Sequence, residues 1–332
     1  MKHPGNRTIL LFAGLLSILS VVFFSRRESV FSESRKTPVQ ASADVPKKTY
    51  NIFPTEIPEE LDFAEEPVPV NLIDIRESLD REILVNTYWQ SQTLLFLKRS
   101  HRYFPIIESV LKKHKVPSDF KYLAVAESGL MNAVSPANAV GFWQFLEGTA
   151  KDYGLEVNSE VDERYHLEKS TEAACKYLLE SYMKYGSWTM AAASYNAGRK
   201  NLSLQIDRQK ENNYYDLLLG EETSRYIFRI LSYKLLISNP SAYGFYFAES
   251  DLYPEIPVFE VSIENEIKDF AEFAKRYGIS YKVLKILNPW LRQPYLTNTQ
   301  RKTYYLKIPR EGYFKSSLMN KVENEQSIKE AI

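Results

Sequence analysis

The chain has few of the residues from which disulfide frameworks and metal sites are built. Cys175 is the only cysteine among 332 residues, which excludes a disulfide framework and leaves no cysteine near the N-terminus for a lipid anchor. No glycine-rich phosphate loop is present. The histidines are dispersed without a cysteine partner at ligand spacing, and they are His3, His101, His114 and His166. The sequence therefore implies no metal and no cofactor.

The chain also lacks an excess of either charge. Its 42 Lys and Arg residues balance 42 Asp and Glu residues. Bulk attraction to nucleic acid is therefore not expected, and specificity has to come from a shaped site. Aromatic residues are plentiful instead, with 23 Tyr and 18 Phe, which suits a tyrosine-rich core or a groove that stacks on sugar rings.

The N-terminal segment, residues 1–27, predicts export from the cytoplasm. An apolar run over residues 9–24 lies between basic residues, and as a helix it would span about 24 Å, slightly less than a bilayer core of about 30 Å. Small residues suited to cleavage occur only well downstream, at residues 41–43. The segment is a signal sequence or an anchor, and the late position of the small residues favours an uncleaved anchor in the inner membrane. The body is expected in the periplasm or cell envelope.

Composition and periodicity divide the remainder into a tether, two folded parts and a tail. Residues 28–70 are polar with repeated proline and predict a tether. Residues 71–247 show apolar side chains at helical spacing and little strand signal, so this part is expected to be mainly α. Residues 256–310 predict a small βααβ unit, and residues 311–332 form a polar tail without an assigned function.

The helix boundaries follow from capping residues and period. Ser118 is the expected N-cap of a helix over residues 119–127, and Gly129 is placed to end it, which leaves Glu127 at a helix C-terminus. In the first part, further helices are expected over residues 170–184, 188–195 and 221–237. In the second part, the expected elements are strands over 258–263 and 303–308 and helices over 266–277 and 281–287.

A series of motifs resembles the soluble-lytic-transglycosylase-type catalytic domain, particularly the murein transglycosylase D type. Tyr122-Leu123-Ala124-Val125-Ala126-Glu127-Ser128-Gly129 is followed by Gly141-Phe142-Trp143-Gln144-Phe145. Motifs in the same order as in that family then occur at residues 162–164, 170–174, 194–198 and 222–226. The resemblance covers about 170 residues. It implies a mainly α, lysozyme-like catalytic domain over residues 71–247.

The C-terminal unit resembles a LysM module. The similar segments are Tyr277-Gly278-Ile279-Ser280, Leu287-Asn288-Pro289 and Tyr305-Leu306-Lys307-Ile308-Pro309. It departs at Glu264-Asn265-Glu266-Ile267, where the family usually has a Gly-Asp-Thr-Leu segment that helps to form the sugar-binding groove. Two interpretations stay open: the module binds glycan that contains N-acetylglucosamine, or it is a structural appendage that packs on the catalytic domain.

Glu127 is the candidate catalytic acid and base. Glycosidic bond cleavage needs an acid that protonates the leaving oxygen, and a carboxyl that starts protonated needs a raised pKa. Glu127 follows an apolar stretch, and desolvation together with the negative end of its helix would raise its pKa. The resemblance implies that the acetamido group of N-acetylmuramic acid replaces a second carboxylate. It also implies that Glu127 then accepts the C6 hydroxyl proton, so that ring closure gives a 1,6-anhydro sugar.

Polar and aromatic residues near these motifs are the candidates for the sugar cleft. Amide and hydroxyl side chains suit hydrogen bonding to acetamido and hydroxyl groups, and the substrate-binding candidates are Ser135, Gln144, Tyr195, Asn196 and Tyr226. Tyr226 ranks next after Glu127, because its hydroxyl can hold the carboxyl or the substrate while its ring packs. Ser128 and Trp143 are supporting candidates. Ser128 is expected to orient the turn beneath the acid, and Trp143 either stacks on a sugar or belongs to the core.

The sequence thus predicts a peptidoglycan lytic transglycosylase, tethered to the membrane and acting as a monomer. Its partner would be the glycan strands of peptidoglycan, cut at the β-1,4 bond between N-acetylmuramic acid and N-acetylglucosamine in cell-wall turnover or remodelling. Two alternatives remain at this point. One is a muramidase-like hydrolase, and the other is a non-catalytic scaffold that binds peptidoglycan.

Overall fold

The computed structural model describes residues 52–310 and 312–314. The predicted export segment over residues 1–27, the first part of the tether and most of the polar tail lie outside the described residues. Within the described ranges, no helix has both the length and the apolar character needed to cross a membrane. The described residues from Phe53 onward belong to one unit.

Helices dominate the first part of this unit, and a two-stranded sheet with two helices forms the second. The fold class expected from the sequence, mainly α with a C-terminal βααβ module, is confirmed. The elements in chain order are β1 (Asp62–Phe63), β2 (Glu66–Pro67), α1 (Ile73–Tyr88), α2 (Gln90–Lys113), α3 (Phe120–Ser128), α4 (Glu147–Asp152), α5 (Leu167–Tyr185), α6 (Trp188–Ala197), α7 (Arg199–Gln209), α8 (Glu221–Ser238), β3 (Val258–Ile263), α9 (Phe270–Arg276), α10 (Tyr281–Leu287) and β4 (Tyr304–Pro309).

Helix α8 lies at the centre of the helical part and packs against α1, α3 and α6. It brings Tyr226, which is only 2% exposed, into the same core as Trp143, which is fully buried. Burial of such large aromatic rings supplies much of the hydrophobic stabilisation of a core. The helix that carries Glu127 is therefore fixed against the helix that carries Tyr226.

Helix α3 begins differently from the sequence prediction. Its N-cap residue is Asp119 rather than Ser118. The Asp119 carboxylate accepts a hydrogen bond from the Ala64 backbone N–H (2.8 Å) and one from Lys234 Nζ (2.7 Å). The carboxylate thus connects α3 to β1 and α8, a tertiary role that local sequence rules do not reveal. Gly129 does end the helix, in the left-handed conformation with φ of +60°.

The predicted tether is wrong over its last residues, because residues 61–70 pack on the helical part. Strands β1 and β2 form a hairpin whose turn residues, Ala64 and Glu65, both have positive φ, at 54° and 67°. Phe63 is fully buried, and its ring meets that of Phe120 edge to face at a centroid distance of 5.3 Å. Buried Val68 extends the same contact surface. The apolar residues between the prolines are core residues.

The same hairpin caps helix α6. The Glu66 carboxylate accepts hydrogen bonds from the backbone N–H groups of Trp188 (2.5 Å) and Thr189 (2.9 Å) and from the Ser187 hydroxyl (2.8 Å). An anion at the positive end of a helix satisfies N–H groups that have no partner within the helix. Residues before position 71 therefore stabilise the helix that leads to Tyr195.

The C-terminal module, residues 258–309, pairs β3 with β4 in antiparallel register from Val258 opposite Pro309 to Ile263 opposite Tyr304. Helix α9 starts later than predicted, since the Asp269 carboxylate caps the backbone N–H of Ala271 (2.6 Å). The core of the module contains Phe270, Leu284 and Leu306, and it also takes in Val161 from the helical part.

Replacement of Phe63 by alanine tests whether the hairpin belongs to the folded core. Phe63→Ala should lower the free energy of unfolding by about 3 to 5 kcal/mol, because it empties a fully buried site. Phe53→Ala is the matched control, since Phe53 is 63% exposed and its loss should change stability by less than about 0.5 kcal/mol. Urea unfolding measures both variants, and equal midpoints would place Phe63 outside the core.

Candidate active site

The end of helix α3 is held from two sides, and this fixes the position of Glu127. Gly129 lies so close to Phe96 that a Cβ atom would come within 2.7 Å of Phe96 Cε1, so a side chain there would be both crowded and strained. The Arg99 guanidinium donates to the Gly129 carbonyl at 3.0 Å. The Glu127 side chain stays partly exposed at this fixed helix end.

Tyr226 and Glu127 form the central contact of the site. The Tyr226 hydroxyl, carried by α8, donates a hydrogen bond to Glu127 Oε1. Its own pKa is raised well above the usual value, by burial and by the charge of Glu127 and its hydrogen bond to that carboxyl. The phenol is therefore neutral and remains a donor across the physiological pH range.

Desolvation raises the pKa of Glu127 to about 7, from an ordinary value of 4.5. The Tyr226 hydrogen bond acts in the opposite direction, because it favours the carboxylate, and so does the charge of Arg229. The negative charge of Glu222 raises the pKa further. At neutral pH a large share of Glu127 carries its proton, as a general acid requires.

Tyr195 lies beside the same carboxyl, but its hydroxyl is used elsewhere. It donates to the Trp143 backbone carbonyl at 2.8 Å, and its ring packs edge to face against Tyr177 at 5.1 Å. Burial first, and then the charge of Glu127, raise its pKa well above 10. Tyr195 therefore supports the backbone near the acid and borders the carboxyl with an uncharged ring.

Ser128 joins helix α3 to the loop that follows it. Its buried hydroxyl donates to the carbonyls of Phe142 (2.9 Å) and Ala124 (3.2 Å) and accepts from the Met131 backbone N–H (3.3 Å). These contacts tie the last turn of the helix that carries Glu127 to the segment that follows it. We name residues 138–145 the cleft loop.

Ser135 and Gln144 hold the cleft loop and its approach through contacts within that region. The Ser135 hydroxyl accepts from the Ala139 backbone N–H at 3.0 Å, as in a tight turn. The Gln144 amide donates to the carbonyls of Ala133 (3.1 Å) and Gly141 (2.8 Å). Both side chains are partly exposed, yet the bonds they form are to their own segment rather than to Glu127.

Trp143 belongs to the core and not to a sugar-stacking surface. Its side chain is fully buried, and its indole N–H donates to the Thr171 hydroxyl at 2.8 Å. A ring with no exposed face cannot stack on a sugar. Of the two interpretations open at the sequence level, the structure gives the core residue.

Asn196 joins the end of α6 to the start of α8. Its amide donates to Glu222 Oε1 at 3.2 Å, and its carbonyl oxygen accepts from the Thr223 hydroxyl at 2.8 Å. The structure thus brings together Glu127, Tyr226 and Tyr195, with Asn196 connected to them through Glu222.

Sequence reasoning missed two charged residues that act on the acid, Glu222 and Arg229. With Tyr226 they occupy positions i, i+4 and i+7 of one helix, so they share a face of α8. That spacing was visible in the sequence as soon as Tyr226 was singled out. Within the described residues, no three His, Cys, Asp or Glu side chains cluster as metal ligands.

Comparison with known proteins agrees with this arrangement of parts. Residues 104–218 match the transglycosylase SLT domain, and residues 259–312 match the soluble lytic transglycosylase C-terminal LysM-like domain. The chain carries an SLT transglycosylase domain and a C-terminal LysM-like domain. Glu127 lies inside the first matched range, whereas Glu222 and Tyr226 follow it.

The chain is also similar to curated proteins. It is 29% identical over 220 residues to membrane-bound lytic murein transglycosylase D of Escherichia coli (strain K12) and equally to that of Escherichia coli O6:H1 (strain CFT073). The matched region is 64% of this chain and 47% of each relative. The chain thus spans about half the length of the curated relatives it matches.

Replacement of Glu127 by glutamine should stabilise the protein at alkaline pH and change little at acid pH. Because the folded pKa is about 7 and the ordinary value is 4.5, the native carboxyl keeps its proton between these values while the unfolded chain loses it. The stability of the wild type is then fully present at low pH and falls as pH rises through about 7. The relative gain of Glu127→Gln at high pH is expected to be about 2 to 4 kcal/mol.

Urea unfolding across this pH range measures the gain. The matched control is Glu147→Gln, since Glu147 is exposed and its hydrogen bond from Lys151 lowers its pKa. That control should show no gain at high pH. A Glu127→Gln effect of equal size at acid and alkaline pH would contradict the raised pKa.

Proposed function

We propose that the protein is a peptidoglycan lytic transglycosylase that cleaves the β-1,4 bond between N-acetylmuramic acid and N-acetylglucosamine. One observation carries the proposal. Glu127 is a partly exposed carboxyl at a helix end, with its pKa raised to about 7 and its orientation fixed by the buried Tyr226 hydroxyl. A single carboxyl in this state can act first as an acid and then as a base.

In the proposed reaction, Glu127 donates its proton to the leaving glycosidic oxygen as the bond to the anomeric carbon breaks. The acetamido oxygen of the same muramic acid stabilises the positive charge that develops at that carbon. The Glu127 carboxylate then accepts the proton of the C6 hydroxyl, and the C6 oxygen bonds to the anomeric carbon. The product is a 1,6-anhydromuramic end, water does not enter, and Glu127 regains its proton.

A muramidase-like hydrolase remains the second candidate, and Glu222 is the observation that favours it. This exposed carboxylate is close enough to raise the pKa of Glu127, and the Asn196 amide holds it at 3.2 Å. An inverting glycosidase uses a second carboxylate to activate water. The hydrolase would need Glu222 to activate water, whereas the lytic transglycosylase would not.

The proposed site of action is the cell envelope, with peptidoglycan glycan strands as the partner. The matched relatives are named as membrane-bound murein enzymes, and residues 9–24 would anchor the chain if they are not cleaved. Cell-wall turnover or remodelling is the corresponding role. A scaffold that only binds glycan would not need a carboxyl whose pKa lies near neutral pH.

Digestion of purified sacculi by the full chain in detergent tests the reaction. The expected fragments are lighter by one water than hydrolysis products, as mass spectrometry of the muramic ends detects. Glu127→Gln should abolish release, because the amide can neither donate nor accept the proton, with a loss of at least about 1,000-fold. Glu222→Gln should retain anhydro product. Hydrated ends that disappear in Glu222→Gln would establish the hydrolase, and binding without turnover would establish the scaffold.

Replacement of Tyr226 by phenylalanine tests the acid through its pH dependence. The Tyr226 hydrogen bond lowers the pKa of Glu127, so its removal should raise that pKa above about 7. Since the protonated form is active, kcat/KM should fall with rising pH, and the fall should occur at a higher pH in Tyr226→Phe. The matched control is Tyr233→Phe on the same helix, which should leave the profile unchanged. An unshifted profile in Tyr226→Phe would contradict this role of the hydroxyl.

A further inference from the structure

The motif Asp162-Glu163-Arg164 has no part in the chemistry above, yet two of its side chains form a buried, doubly hydrogen-bonded ion pair. The Asp162 carboxylate holds the Arg164 guanidinium through two hydrogen bonds, to Nε at 2.9 Å and to Nη2 at 2.8 Å. Both side chains are only 9% exposed. A buried arginine paired in this way presents its remaining N–H groups in a fixed direction.

The remaining N–H groups of Arg164 point at the cleft loop. Nη1 donates to the carbonyl of Asn138 at 3.2 Å and to that of Phe145 at 3.3 Å. These two carbonyls are the two ends of the loop. One guanidinium thus closes the cleft loop at its base.

The cleft loop depends on such contacts, because its backbone is strained. Asn138 and Gln144 have positive φ values of 60° and 49°, which residues other than glycine seldom adopt. Between them, the carbonyls of Phe142 and Trp143 accept hydrogen bonds from Ser128 and Tyr195. Side chains thus hold the loop by its carbonyl oxygens. Of the two that hold its middle, Ser128 follows Glu127 in sequence and Tyr195 lies beside its carboxyl.

Arg164 also contacts this loop through its own backbone. A Cβ atom on Gly141, whose φ is +85°, would lie 2.0 Å from the Arg164 carbonyl oxygen. Only glycine permits this approach at that position. A displacement of residue 164 would therefore move the cleft loop directly.

The segment just before Arg164 is fixed by the LysM-like domain. The Asp162 backbone N–H donates to the Trp290 carbonyl at 2.8 Å, and the Arg292 N–H donates to the Glu160 carbonyl at 2.7 Å. Val161, between them, is 1% exposed and forms part of the core of that domain. Val161, which directly precedes Asp162, is thus a core residue of the LysM-like domain.

Side-chain contacts reinforce this docking. The Glu160 carboxylate accepts from the Thr297 backbone N–H (2.8 Å) and from its hydroxyl (3.0 Å). Further along, Lys307 pairs with Glu168, and the Arg292 guanidinium lies over the Tyr165 ring at 4.0 Å. The two domains share a continuous surface from residue 156 to residue 168.

We propose that Arg164 is a positioning residue for the substrate cleft and that the LysM-like domain acts through it. Docking of that domain on residues 158–162 fixes the Asp162–Arg164 pair, and the pair fixes both ends of the cleft loop. The LysM-like domain then helps to set the conformation of the cleft loop. The kinetic side of this inference rests on the proposed function, whereas the structural side does not.

Arg164→Lys is the first test, because a lysine ammonium keeps the charge but cannot pair with Asp162 through two nitrogens and also reach both carbonyls. Hydrogen exchange of the full chain should show amides of residues 138–145 exchanging about tenfold faster or more. Amides of α3 and α8 should keep their protection. The matched control is Arg208→Lys, an exposed arginine of α7, which should change nothing.

Kinetics with sacculi separate positioning from general damage. Arg164→Lys should raise KM about 10- to 100-fold, while the fall of kcat/KM with pH stays near the pKa of Glu127. Arg164 is not among the groups that shift that pKa. A shifted pH profile together with a general loss of protection would mean that Arg164 only stabilises the fold. Unchanged exchange and unchanged KM would overturn the proposal outright.

Glu160→Ala tests the domain side and spares the core, because Glu160 is partly exposed and outside the hydrophobic clusters. It should increase exchange in residues 138–145, and combined with Arg164→Lys it should add less than its separate effect, since both act through one connection. Lys268→Ala, on an exposed part of the LysM-like domain, is the control. Faster exchange confined to residues 156–162 and 258–309 would show a passive appendage. Because exchange needs no turnover, an inactive wild type would refute the proposed function and leave this test intact.

Discussion

A carboxyl that is desolvated and still partly exposed imposes opposing demands on the structure around it. Burial raises the pKa of Glu127, while contact with substrate requires that its oxygens stay accessible. The structure meets both demands with one buried neutral donor, the Tyr226 hydroxyl, which fixes the carboxyl without adding a charge. A lysine or arginine in that place would have held the carboxylate ionised. The phenol keeps the pKa within reach of neutral pH, where one group can both donate and accept a proton.

The hydrogen bond between Tyr226 and Glu127 therefore depends on contacts between distant parts of the chain. Helices α3 and α8 pack against each other, and the Asp119 carboxylate joins them by accepting from Lys234 and from the β1–β2 hairpin. The hairpin in turn caps helix α6 through Glu66. Helix α6 carries Tyr195, whose buried phenol lies close enough to Glu127 for the charge of that carboxyl to raise its pKa. The residues before the helical domain therefore contribute to the environment of the carboxyl, although they lie far from it in sequence.

The elements of this fold follow local patterns, which is why the sequence predicts them well. Strand β3 and helix α10 have the bounds expected from period and capping, and Gly129 ends α3 as its position indicated. The failures share one cause. The apolar residues at 61–70 and the carboxylate of Asp119 have tertiary partners, and no local rule describes a partner more than 50 residues away. The candidate site divides in the same way, since motif order singled out Glu127 and Tyr226, which a hydrogen bond joins, but could not show that Trp143 is closed to solvent.

The same distinction explains why a domain that resembles a separate binding module packs against the helical part. Periodicity predicts a βααβ unit within residues 256–310, and the four elements occur in that order between Val258 and Pro309, which suggests independence. Yet Val161 completes the core of that unit, and an isolated module would expose this apolar site to water. Association is then favoured by the same hydrophobic burial that folds each part. Because the docked segment continues directly into Asp162 and Arg164, the free energy of docking also acts against distortion of the cleft loop.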